Sequence, residues 1–201
     1  MKKSSLVFLS SSIIAPLFIY LSLLGLSNSF GIKSILVIRD LAQTCGYPIW
    51  VGLISNLGIL MWSVSASIAL FSSLSGLIQK REESDFLFLG GIFSFLLCID
   101  DFFLLHDKYI GPDFLYVTYS ILGMYILIKF RKVILDIDFL PFIVSVVFLA
   151  LSVAFDKIIQ GIFPENYINL QLFEEGFKFI GIVCWMNFWW TASMKSLRSK
   201  N

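Results

Sequence analysis

Histidine occurs once in 201 residues, cysteine three times and proline five times, and only 14% of the chain is charged. Each scarcity closes a class of function. A lone histidine, His106, leaves few ligands of the right kind for a zinc site. Cys45, Cys98 and Cys184 contain no C-x-x-C pair, and an odd, scattered set is neither a disulfide framework nor a zinc knuckle. Net charge is only +1 with no long Lys/Arg run, so the electrostatic footprint of nucleic-acid binding is missing and neither DNA nor RNA is a partner. Polar surface sufficient to enclose a water-soluble core of this size is missing too.

What is abundant is apolar. Hydrophobic residues make up 58% of the chain, 21 of them Phe, and the mean hydropathy is +0.86. The solvent of such a chain is largely lipid, and the bilayer is its first partner. Runs of spanning length predict transmembrane helices near Leu6 to Leu26, Ile49 to Ile78, Phe86 to Leu105, Phe114 to Ile128, Leu140 to Ile159 and Phe173 to Met194. The first run is too long for a signal-peptide core and reads as an uncleaved helix. Between the first two runs, Gly31 to Cys45 mixes Ile with Lys33, Arg39 and Asp40 ahead of the Gly46-Tyr47-Pro48 breaker and reads as an interfacial helix. Gly111-Pro112 and Gly161 to Pro164 mark outer turns. The expected fold is therefore all-α, a polytopic membrane helix bundle of about six transmembrane helices plus one interfacial helix, with residues 1–201 forming a single integral membrane domain.

Orientation follows from the basic residues. With the N-terminus inside, ten of the fifteen Lys/Arg fall on inner segments, among them Lys80, Arg81, Lys132 and Lys195, and nine of the fourteen acids fall on the outer half. This positive-inside pattern places both termini in the cytoplasm.

An ionisable group inside a bilayer costs about 2.5 to 3.5 kcal/mol on insertion scales, so such groups are site candidates by default. They collect at one depth here. Asp100 and Asp101 lie near the outer end of the third helix, Lys178 one turn inside the sixth, Asn56 about two turns into the second, and Asp156 near the outer end of the fifth. Residues three or four apart share a helix face, so Gly91, Ser94, Cys98 and Asp101 form one stripe, Ser145, Ser152 and Asp156 another, and Glu174, Lys178 and Gly181 a third. Ser65, Ala69, Ser72 and Gly76 form a small-residue face suited to plain helix packing. Two adjacent carboxylates repel in a low dielectric, and Lys178 is the nearest base able to neutralise one of them. Glu174 and Glu175 precede Lys178 by four and three residues, the favourable order for helical pairs. His106 sits about 140° around the helix from Asp101 and shares no face with it unless the helix ends. Trp185, Trp189 and Trp190, with Tyr116, Tyr119 and Tyr125, read as lipid-facing or interfacial aromatics.

The strings Asp100-Asp101-x4-His106-Asp107 and Glu174-Glu175-x2-Lys178 resemble segments of uncharacterised multi-pass membrane proteins of bacteria, which implies the bacterial inner (plasma) membrane and no particular activity. The layout is also similar to ceramidase-like membrane hydrolases, whose zinc is held by three histidines with an Asp and a Ser nearby; the H-x-x-x-H element of that family is absent here. Glu174-x-x-x-Lys178 is similar to the Asp-x-x-x-Lys around the retinal lysine of microbial rhodopsins, but helix count and the shallow Lys178 depart from that pattern.

Three readings follow. In the first, the carboxylates and Lys178 form a buried ion network that sets helix packing, a structural or subunit role. The second has them lining an outward-facing polar chamber for proton- or cation-coupled transport or ligand binding. The third is a membrane-embedded lipid hydrolase in which His106, Asp100 and Asp101 hold a divalent metal. Any cofactor, and a second copy or larger membrane complex as partner, stay open.

Overall fold

The computed structural model describes residues 3–38, 44–48, 50–137, 139–159, 162 and 167–198. Among these residues there is helix and no strand, in keeping with the expected all-α class, and within a helix the backbone groups are satisfied without water. The chain divides into two compact units, Met1–Leu53 and Ile54–Asn201.

The first unit holds α1 (Lys3–Ser29) and α2 (Ser34–Ile38). Pro16 lies inside α1, a position that membrane helices tolerate. The helix stops at Gly31, whose φ of +70° suits a left-handed C-terminal turn; the Gly31 N–H bonds the Asn28 carbonyl at 3.0 Å and the Ile32 N–H bonds that of Ser27 at 2.9 Å. Within the Gly31 to Cys45 stretch expected to form an interfacial helix, α2 covers Ser34–Ile38, while residues 39–43 lie outside the described residues.

The second unit contains α3 (Leu53–Leu74, whose first residue belongs to the other unit), α4 (Arg81–Phe103), the short α5 (Leu105–Lys108), α6 (Pro112–Lys129), the short α7 (Arg131–Asp136), α8 (Leu140–Ala154) and α9 (Tyr167–Arg198). Proline opens α6 and α8, where its missing N–H costs nothing. A π-helical turn, Phe155–Ile159, continues α8. The expected outer turn at Gly161 to Pro164 falls mostly outside the described residues. Among the described residues, three of the six expected stretches are long and apolar enough to cross a membrane: α3, α4 and Leu140–Lys157.

Close approach, more than side-chain volume, sets the packing. A Cβ at Gly90 would collide with the Trp189 ring, and one at Gly91 would sit 2.7 Å from Leu70 Cγ, so α4 meets α9 and α3 on adjacent sides through two consecutive glycines. On α3 the buried stripe runs Gly58, Trp62, Ser65, Ala66, Ala69 and Ser72, the three- and four-residue spacing expected of a packing face. Gly76, which the same face was expected to include, is exposed just beyond the helix end. Ser145 of α8 donates to the Gly181 carbonyl of α9 at 2.8 Å, bringing the second and third small-residue stripes together. Near the start of α4 and the end of α9, Phe86, Phe130, Phe188 and Trp189 form one aromatic cluster, with the Phe86 and Trp189 centroids 4.9 Å apart.

That cluster corrects the reading of the tryptophans. Trp189 is fully buried and Trp185 nearly so, whereas Trp190 and Tyr125 are exposed as expected. A lipid-facing assignment treats aromatic rings as belts; here the glycines of α4 open a notch that a ring fills better than lipid does.

Candidate functional site

The sequence places two carboxylates side by side, and the helix sends them to different partners. Asp101 receives the Lys178 ammonium at 2.7 Å on one oxygen and the Trp62 indole N–H at 2.9 Å on the other, joining α4, α9 and α3 through one side chain. Asp100 turns the other way. Its Oδ1 accepts the His106 backbone N–H at 2.9 Å and faces His106 Nδ1 at 3.0 Å. Consecutive residues on a helix point about 100° apart, which is enough to put the pair on separate networks and to relieve their mutual repulsion.

The device that returns His106 to Asp100 is a break in the helix. Leu104 ends α4 in the left-handed region, φ 52° and ψ 44°, and its N–H bonds the Asp100 carbonyl. It is the one non-glycine residue with positive φ among the described residues. A continuous helix would carry His106 around to another side; the reversal folds α5 back so that residue 106 caps the carboxylate six positions earlier. Strain of this kind concentrates at functional sites.

Both networks border a cavity of about 620 Å³ between α4, α6, α8 and α9. Asp100, Asp101, His106, Asp156, Glu174 and Lys178 all reach it, so six of the eight polar-layer residues expected from sequence come together. Asp156 sits in the π-helical turn, a distortion frequent at functional sites, and accepts the Tyr116 hydroxyl at 3.3 Å. Beside it, Lys157 pairs with Asp113 at 3.4 Å. Glu175 faces the opposite side of the Asp101–Lys178 pair, in a niche of about 10 Å³ that Ser55 and Gly58 also line. Asn56 does not join: it is exposed, about 200° around α3 from the buried Gly58.

Sequence reading missed the aromatic members. Tyr116 and Tyr119, three apart on α6, present one face to the cavity, and Trp62 and Trp185 line it from α3 and α9. The spacing of the tyrosines and the place of Trp62 within the Gly58 to Ser72 stripe are the signals that carry this. Trp185 donates to Ser94 at 2.8 Å, which holds the indole across the floor of the cavity.

His106 and Asp100 could contribute to a metal site, but both oxygens of Asp101 already have other partners. Among the described residues no group of three or more His, Cys, Asp and Glu is placed to hold a metal ion.

The profile of a domain of unknown function, DUF8692, matches residues 12–192. The chain belongs to the DUF8692 family. That match takes in most of both compact units, including α1 from residue 12 onward, and every residue around the cavity. No curated protein matches the chain, and no solved structure does.

Proposed function

We propose that this DUF8692 chain is a multi-pass membrane protein of six spanning helices, both termini cytoplasmic, that binds a ligand in the outer half of the bilayer for uptake or transfer. The observation that carries the reading is that the charged layer borders a cavity. A network serving packing alone would be closed over by side chains, since buried polar groups are stable only when fully satisfied and surrounded. The Asp100–His106 dyad is the part suited to meet a ligand, because it brings a hydrogen-bonding carboxylate and an imidazole together at the cavity wall. The Asp101–Lys178–Trp62 group has the other role. It ties three helices together at the edge of the cavity, and the packing reading applies to it.

Thiol labelling tests the proposal. In a chain with Cys45, Cys98 and Cys184 replaced by Ala, Ser152→Cys places a thiol in the cavity wall at a position otherwise buried. Reaction with small maleimides, slowed by Val147→Trp at the cavity rim, is the expected result. An unreactive thiol in folded protein would mean that the cavity is closed and the whole charged layer serves packing.

A further inference from the structure

We infer that the cavity takes a single-chain amphiphile with a cationic head, entering sideways from lipid between α6 and α8. The inference rests on the ligand-binding reading and names the ligand class.

The first support is where the cavity opens. Met124, Ile143, Val146 and Val147 line it and yet are 55%, 46%, 45% and 49% exposed, so its rim is apolar and lies partway along the two helices. α6 packs on α4 and α8 packs on α9, but among the described residues α6 and α8 do not pack closely against each other. At the outer end they are joined by side chains only, Tyr116 to Asp156 and Asp113 to Lys157. The gap thus has a polar latch above and an apolar slot below. A hydrophilic solute would enter from the water side; a slot rimmed by Met, Ile and Val at that depth admits a hydrocarbon chain.

The second support is the division of the walls. The volume of about 620 Å³ falls within the range of roughly 300–1,000 Å³ typical of small-ligand pockets, which suits one chain and a compact head. Below the charged layer the lining is Phe93, Leu97, Leu127, Phe142 and their apolar neighbours. At the polar end four carboxylates, Asp100, Asp101, Asp156 and Glu174, stand against the Lys178 ammonium and one imidazole. This excess of negative charge complements an ammonium and repels a phosphate or carboxylate head. Tyr119, Trp62 and Trp185 add aromatic surface of the kind that holds alkylammonium groups, and Tyr116 already carries the Lys157 ammonium 5.6 Å from its ring centre.

Purified full-length protein in detergent, with thermal unfolding followed on adding hexadecylamine, hexadecanol, palmitic acid or butylamine, separates the possibilities. Hexadecylamine near saturation is expected to raise Tm by about 5 °C, with palmitic acid and butylamine giving no shift. Val147→Trp, which fills the slot, should abolish the effect, and Asp100→Asn should bring the amine down to the level of hexadecanol. Equal shifts from amine, alcohol and acid, all lost in Val147→Trp, would overturn the cationic head while leaving ligand binding intact. A shift from butylamine as large as that from hexadecylamine would overturn the amphiphile in favour of a small cation. No shift from any of the four, or shifts that persist in Val147→Trp, would overturn this inference; the Ser152→Cys labelling separately decides whether the cavity is open.

Discussion

Lys178 and Asp101 lie 77 positions apart in sequence and meet at 2.7 Å, with the Trp62 indole holding the second carboxylate oxygen. One side of this pair faces the large cavity and the other faces the small niche beside Glu175, so the ion pair is a partition as well as a tie between helices. Asp100, one residue away, takes no part in it.

Removal of one partner should therefore be costly and selective. Lys178→Met strands the Asp101 carboxylate and should destabilise the protein by about 3 kcal/mol, the lower part of the range for broken buried pairs, because the pair borders a cavity. Adding Asp101→Asn should recover most of the loss, whereas adding Asp100→Asn should not. Chemical unfolding of the double-mutant cycle measures this; coupling of Lys178 to Asp100 in place of Asp101 would contradict the geometry.

Leu104 should behave as a strained residue. A non-glycine residue in the left-handed region costs roughly 1 kcal/mol, so Leu104→Gly should leave Tm unchanged or raise it, while the same change at Phe103, inside α4, should lower stability by about 1 kcal/mol. Equal losses at both positions would show that the helix does not reverse at Leu104.

The glycine contacts separate close packing from open space. At Gly90 an added methyl meets the Trp189 ring, and Gly90→Ala should cost about 1 to 3 kcal/mol; at Gly123 the nearest atoms are Phe93 ring carbons at 3.9 Å, an ordinary contact, and Gly123→Ala should cost nothing measurable. Thermal unfolding of the two variants side by side is the check.

Chelation should have little effect. With Asp101 committed to Lys178 and Trp62, treatment with EDTA is expected to leave Tm unchanged and elemental analysis to find no stoichiometric Zn, Mn or Fe. A chelator-dependent loss of stability would bring back the His106, Asp100 and Asp101 metal set.

Orientation is open to direct measurement. Lys108→Cys should label from outside and Lys132→Cys only from the cytoplasm, as the distribution of Lys and Arg requires. Reversed labelling would move the charged layer, and the slot below it, to the inner leaflet.

Composition alone determined the helical class, because a chain with this little polar surface must satisfy its backbone within helices wherever lipid surrounds it. The places of the long helices were legible too, as were the gathering of acids with Lys178 and its choice as counter-charge to one of the Asp100/Asp101 pair, since each depends on residue type and distance along the chain. Tertiary structure decided the rest. The 3.6-residue period assigns residues to faces but does not say which neighbour each face meets, so it left Asp100 and Asp101 equivalent as partners for Lys178, and it left Asn56 in a layer from which its own face of α3 excludes it. The return of His106 depends on a left-handed leucine, a conformation that leucine does not announce as glycine would. The cavity depends on α6 and α8 standing apart, and a gap between helices is a property of how their backbones cross, written in no single residue.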